Sequence, residues 1–313
     1  MKYHLTALFT IFVWGMTFVS TKVLLVDFTP LQILFIRFII GFLALCALRP
    51  HILKLTERRH EWLFVAAGAT GIAAYYLLEN IALVFSTATA IGVIVSASPL
   101  ITALIQAARG DRTALNMRFF LGFILAMGGL IIVGAGSEQA LGETTQPDDL
   151  SVIGYALAFL AALVWAIYSL LVKKIADLGY ETIASTKRTF LWGLVFIIPI
   201  CLTTGESLPA LSAFTDPINI GNLLFLGAIA SAACFATWGA CVKHLGPIIS
   251  TTYIYLVPAI TATASIIILG EPLTLPIILG VALTIAGLIL SQSRQRRDLD
   301  RMQQTARTDS TFR

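Results

Sequence analysis

The chain has 313 residues, 58% hydrophobic and 12% charged, against about 25% charged in an ordinary soluble domain. With a mean hydropathy of +0.87, too few charges remain to cover a soluble fold of this size, so lipid must replace part of its surface. The formal net charge of +4 does not indicate a nucleic-acid binder: the tail after Ser293 carries six arginines against three aspartates, and no basic face or nucleic-acid motif accompanies it. Anionic lipid headgroups suit that tail better.

A helix needs about 20 apolar residues to cross the hydrocarbon core. On that ruler the chain is predicted to be an all-α integral membrane protein with ten transmembrane helices: 4–25, 30–49, 61–84, 87–108, 117–136, 151–172, 184–204, 218–242, 247–269 and 273–292. The first span places Trp14 near mid-depth and Thr17 on the same face one turn on, too deep for an interfacial aromatic belt. Lys22, near its outer end, is expected to snorkel to the headgroups. Arg37 lies a third of the way into the second span. Tyr75, Tyr76, Glu79 and Asn80 share the third, with Trp62 at its inner boundary. A charge at the bilayer centre costs roughly 2.5 to 3.5 kcal/mol on insertion scales, so Arg37 and Glu79 are candidates for a charged cavity. They would pair when it is empty, or engage the carboxylate and ammonium of a zwitterion, and Glu79 is a candidate carrier of a coupling proton. A static ion pair, or snorkelling to the outer surface, is the structural alternative.

The fourth span carries Pro99 in mid-helix, which would free a carbonyl and permit bending during gating. The fifth, "LGFILAMGGLII", has small residues spaced for close helix contact, within the chain or at a dimer contact. An acidic linker, 137–150, then joins two halves. In the second half, Trp165 and Tyr168 occupy the sixth span as Trp14 and Thr17 do the first. Arg188 follows Lys187 near the inner end of the seventh, as a cavity cation or a positive-inside anchor. Trp238 falls in the eighth, and Tyr253, Tyr255 and Pro258 in the ninth. The aromatic residues among these are candidates to line a cavity that stacks an apolar or aromatic solute, with helix packing as the alternative.

Charge tests the count. Connections after the even spans are basic (Arg49, Lys54, Arg58 and Arg59; Arg109, Arg112 and Arg118; Lys173, Lys174 and Lys187; Lys243; the tail 293–313), whereas "VDFTP", "FSTA", "SEQALGETTQPDDL", "TGESLPALSAFTDP" and "GEPLTLP" contain no lysine or arginine. The basic connections belong inside, which puts both termini in the cytoplasm.

The halves also repeat. A shift of 151 lays "FVWGMTFVSTK" over "LVWAIYSLLVK", so that Trp14 meets Trp165 and Lys22 meets Lys173; Arg37 likewise meets Arg188. Shifts of 158 to 160 pair Pro99 with Pro258, Gly110 with Gly270 and Asp111 with Glu271. Five helices per half is an odd number, so residues 1–136 and 151–292 are expected as two inverted repeats, an arrangement that places a binding site at the repeat interface.

The paired "VWG" and "VWA", the "SPL" and "VPA" prolines and the close "GEPLTLPIILGVALTIAGLIL" resemble the EamA family of the drug/metabolite transporter superfamily, over about residues 4 to 292. The first half departs from the pattern, with "GDRTALNMRFFLGF" in place of an acidic-proline turn. The resemblance implies export of small metabolites such as amino acids across a bacterial cytoplasmic membrane by a monomer or homodimer. No Walker motif appears, so the transport expected is secondary. A membrane-embedded enzyme acting on a lipid-linked substrate is the alternative, but His4, His51, His60 and His244 are scattered and no acidic cluster is placed to hold a metal. A channel would need a filter-like loop that the sequence does not show. No metal, cofactor or nucleic acid is expected. Cys46, Cys201, Cys234 and Cys241 read as small core residues.

Overall fold

A computed structural model describes residues 2–110, 117–140, 149–205, 209–245, 250, 253–287 and 289–290. The expected linker (through 141–148), the loop at 111–116 with Asp111 and Arg112, and the tail 293–313 lie outside these residues, as does the start of the expected ninth span.

The described residues are all-helical, without a strand. In chain order the helices are α1 (Lys2–Leu24), α2 (Pro30–Leu48), α3 (Arg58–Phe85), α4 (Ala88–Ala108), α5 (Met117–Ala140), α6 (Asp149–Asp177), α7 (Thr182–Thr203), α8 (Pro217–Leu245), α9 (Val257–Leu269) and α10 (Leu275–Gly287). Seven of them, α1 to α4 and α6 to α8, are long and apolar enough to cross a membrane; the apolar stretch of α5, and α9 and α10, are shorter.

Local chemistry sets the starts of these helices. Thr29 opens α2 with a capping box: its hydroxyl accepts from the Gln32 amide at 3.2 Å, and the Gln32 side chain accepts from the Thr29 amide at 3.0 Å. Pro30 follows at a position whose amide would have no helical partner anyway. Thr87 caps α4, accepting from the Ala90 amide, and Asp216 caps α8, accepting from the Ile218 amide.

Several helices are not regular throughout. The turn at Ser96 and Ala97 divides α4 into Ala88–Val95 and Ser98–Ala108, and a 3₁₀ turn, Tyr253–Leu256, precedes Val257–Ala264. This corrects the expectation for the prolines. Pro99 and Pro258 each stand in the first turn of the helical piece that follows a break, not in mid-helix, and there the missing amide leaves no carbonyl orphaned. The irregular backbone belongs to the residues just before each proline. Wider π-helical turns occupy Gly68–Ala74 in α3, Phe225–Ala233 in α8 and Ser265–Leu269 at the end of α9.

Contacts sort the connections into two groups. Lys187 donates to the carbonyls of Arg49 and His51, Arg188 to that of Leu53, and Tyr180 meets Thr56 and His60, which gathers the 49–60 and 177–188 connections at one end. His4 and Tyr253 meet at the same end of α1, 2.6 Å apart. At the other end Asn219 donates to Asp27, and Glu271 accepts from the Ala88 amide and the Thr89 hydroxyl at 3.0 and 2.6 Å. These are the groups that charge had separated.

Lys22 lies at this second end and does not reach outward. Its ammonium donates to the carbonyls of Leu83 at 2.5 Å and Ser86 at 2.8 Å, so it caps the end of α3, where helical carbonyls lack partners. Capping replaces the expected snorkelling because the end of α3 offers carbonyl acceptors within reach. The glycine stripes of α5 and α10 face each other: a Cβ on Gly129 would lie 2.6 Å from the Gly280 carbonyl, and one on Gly280 2.7 Å from that of Gly129. The close approach these stripes permit is therefore used within the chain.

Candidate functional site

The centre of the bundle is aromatic. Trp14 lies edge-on to Trp165, with ring centres 5.5 Å apart, and 5.1 Å from Trp238; Tyr75 packs at 4.7 Å from Trp165, and Tyr168 at 5.0 Å. Phe235, which the sequence reading did not single out, joins them at 5.8 Å from Trp14, 6.0 Å from Trp165 and 6.1 Å from Tyr168. The signal that would have found it is the repeat itself, since a shift of 159 carries Tyr76 to Phe235 and Glu79 to Trp238.

The backbone explains how these rings meet. Two of the three π-helical turns immediately precede site-bearing segments, Tyr75 to Glu79 in α3 and Phe235 to Trp238 in α8; the third ends α9. An extra residue per turn rotates the next segment about the helix axis and loosens the regular hydrogen bonding, a common device at functional sites. Trp14 uses the second such turn, donating its indole N–H to the Ala230 carbonyl at 3.1 Å. Gly71, within the first, lets Tyr168 in, since a Cβ there would lie 2.2 Å from the ring.

Two cavities flank this aromatic layer. The central one, partly open, is lined by Trp14, Thr17, Tyr75, Tyr76, Glu79 and Trp165, with Ser96 and Ser98 from the break in α4, Ile254 from the 3₁₀ turn before α9 and Val257 from its start. The other lies toward the end that carries Tyr180; Tyr168, Phe235 and Trp238 wall it on the aromatic side.

Glu79 is the charged group of the central cavity. It is 1% exposed, and neither carboxylate oxygen makes a well-formed hydrogen bond among the described residues, although the Tyr75 hydroxyl lies beside it, near enough to interact. Arg37 is fully buried, with its guanidinium stacked 4.1 Å from the centre of the Tyr76 ring. Its Nε donates to Ser231 at 2.8 Å, and its two terminal nitrogens have no partner among the described residues. Arg37 and Glu79 do not form the direct ion pair expected of an empty site; Arg37 lies behind Tyr76, outside the lining, within electrostatic reach of the acid. Leaving a buried charge unpaired is costly, so a constellation like this is a strong candidate for solute contact.

The remaining candidates lie elsewhere. Asn80 donates to the Pro30 carbonyl at 3.0 Å and ties α3 to the start of α2. Arg188 is not in the central cavity: it forms an ion pair with Glu61, which also accepts from the Trp192 indole at 2.5 Å. It pins α7 to α3 because Glu61, one turn into α3, offers the nearer carboxylate. Tyr253 is bonded to His4 and lines neither cavity, and the Tyr255 side chain is outside the described residues. Pro99 and Pro258 do not line the central cavity, but their neighbours Ser98 and Val257 do. The described residues contain no group of three His, Cys, Asp or Glu side chains placed to hold a metal.

A transporter from Archaeoglobus fulgidus, itself uncharacterized, is 27% identical over 297 residues, covering 94% of this chain and 98% of its own. A probable terminal-alkyne amino-acid exporter from Streptantibioticus cattleyicolor is 26% identical over 294 residues, 91% of each chain. Among solved structures, one crystal structure superposes with a TM-score of 0.67 at 16% identity, over 95% of this chain and 98% of that one, which shows a shared fold. The profile of the EamA-like transporter family matches residues 1–135 and 152–292. The chain thus belongs to the EamA-like transporter family.

Proposed function

We propose that the protein is a secondary carrier that exports amino acids or related small metabolites across a bacterial cytoplasmic membrane. The observation that carries this reading is the pair of cavities on either side of one aromatic layer, the central one holding a buried, unpaired carboxylate. In an alternating-access carrier the two repeats, 1–136 and 151–292, rock so that a central site faces each side in turn. Trp14, Trp165 and Phe235 form the barrier that opens; the breaks before Pro99 and Pro258 supply the flexure. Glu79 receives the ammonium of the solute, or a coupling proton in its absence, and Tyr75, Tyr76 and Trp165 stack its apolar part. Both termini face the cytoplasm, the side on which the basic connections lie. The amino-acid class is supported by the Streptantibioticus relative, which is named as a probable amino-acid exporter.

The test is counterflow in proteoliposomes preloaded with a mixture of amino acids. Saturable exchange of a labelled amino acid is expected, and Phe235→Ala should convert part of it into non-saturable leak. Absent flux across amino acids and their amine and carboxylate analogues, with protein present in the membrane, would remove the carrier reading.

A further inference from the structure

The second cavity has its own chemistry. Thr182, Ser185, Thr186 and Thr189 all line it, and their spacing of i, i+3, i+4 and i+7 places four hydroxyl-bearing residues on one face of the first turns of α7. The Thr186 hydroxyl is engaged, donating to the Thr182 carbonyl at 2.9 Å. Ser185 is not: it is 8% exposed, lines the cavity, and its oxygen has no hydrogen-bond partner among the described residues.

These residues begin a 22-residue helix whose capping position, Glu181, makes no side-chain cap. Its carboxylate turns instead to Arg49, at 3.1 Å. The first amides of α7 are therefore left without a side-chain acceptor, at the end of a helix that favours negative charge. Among the described residues, no acidic or basic side chain lines the cavity. Lys187, on the same helix, spends its ammonium on the Arg49 and His51 carbonyls. Gly239 completes the wall: a Cβ there would meet the Thr182 methyl at 2.2 Å, so glycine lets α8 close against the start of α7.

We propose that this cavity is a separate loading site for the carboxylate end of the solute. A carboxylate would accept from Ser185 and the first turn of α7, and an apolar or aromatic body would lie against Tyr168, Phe235 and Trp238. The chemistry is complementary to that of the central cavity, where Glu79 repels a carboxylate and attracts an ammonium. The inference rests on the carrier reading for its direction, with solute arriving here from the cytoplasm before it passes the aromatic layer.

The experiment uses the full chain carrying Thr189→Cys, which keeps the Ser185 hydroxyl, in inside-out membrane vesicles. N-ethylmaleimide modification at position 189 is followed by peptide mass spectrometry, with phenylacetate and benzylamine as competing probes. Phenylacetate at saturation should slow modification roughly five-fold or more by mass action, and benzylamine should leave it unchanged. Equal protection by both probes, protection by neither, or no modification of protein present at normal levels would overturn the proposal. Thr186→Cys gives the same reading should Thr189→Cys fail to accumulate. Because protection is measured without transport, the two readings fail differently. Missing efflux with selective protection defeats the carrier and leaves the carboxylate site, whereas efflux without selective protection does the reverse.

Discussion

Glu79, buried, and Lys22, half-buried, show what single charges do in this protein. The Lys22 ammonium is satisfied by two carbonyls at the end of α3, whereas neither Glu79 oxygen makes a well-formed hydrogen bond among the described residues. Opposite consequences follow for substitution. Lys22→Met leaves acceptors unpaired and should destabilise the protein by about 1–3 kcal/mol, read as a lower thermal midpoint in detergent. Glu79→Gln removes a charge that no ion pair supports and that has only the Tyr75 hydroxyl beside it, so its midpoint should hold or rise while affinity for an amine-bearing solute falls about ten-fold or more, the loss of one charge-assisted bond. Unaltered transport in both Glu79→Gln and Arg37→Gln would take the pair out of the site. Trp14, Trp165 and Glu79 were legible in the sequence because depth in an apolar span makes a large polar-edged side chain conspicuous. Phe235 was not, because a phenylalanine among apolar neighbours looks the same whether it gates or merely packs. The partners of Arg188 and Asn80 were illegible for a related reason: they are set by Glu61 and the Pro30 carbonyl, which are remote in sequence.

At the scale of the helices, hydropathy located seven long spans within a few residues, but it could not show where they break. A π-helical turn changes the hydrogen-bond register and leaves no mark on composition, so Gly68–Ala74 and Phe225–Ala233 had no sequence signature beyond their small residues. Gly71 tests the first of them. Gly71→Ala would set a methyl 2.2 Å from the Tyr168 ring, and overpacking of this kind costs about 1–3 kcal/mol. Reduced folded yield is expected, with recovery when Tyr168→Ala is added; no recovery would mean that the glycine is needed for the turn itself. The prolines make the contrasting case. Since Pro99 and Pro258 stand in first turns, Pro99→Ala and Pro258→Ala should leave the amount of membrane protein nearly unchanged while slowing efflux, if the preceding breaks act as hinges. Equal losses of protein and flux would assign the prolines a purely structural role.

For the whole molecule, the contacts that gather connections at two ends agree with the separation drawn from lysine and arginine alone, because charge placement and chain topology both follow from the number of crossings. Glu271 shows how the end poor in basic residues is held. Its carboxylate, from the "GEP" turn before α10, accepts from the first turn of α4, so it joins the second half of the chain to the helix whose later residues Ser96 and Ser98 line the central cavity. Glu271→Ala should loosen that end. In right-side-out vesicles, a cysteine introduced by Ser96→Cys, on the cavity wall, should react several-fold faster with an impermeant thiol reagent when Glu271→Ala is also present. An unchanged rate would show that this contact does not close the end.

The indole of Trp14 is bonded to the Ala230 carbonyl and its ring touches Trp165, Phe235 and Trp238. If the two halves part, that bond and several ring contacts must yield together, and single waters or inorganic ions are too narrow to replace them. On the carrier reading, the same ring cluster that admits a bulky organic solute also insulates the membrane potential against electrical leak.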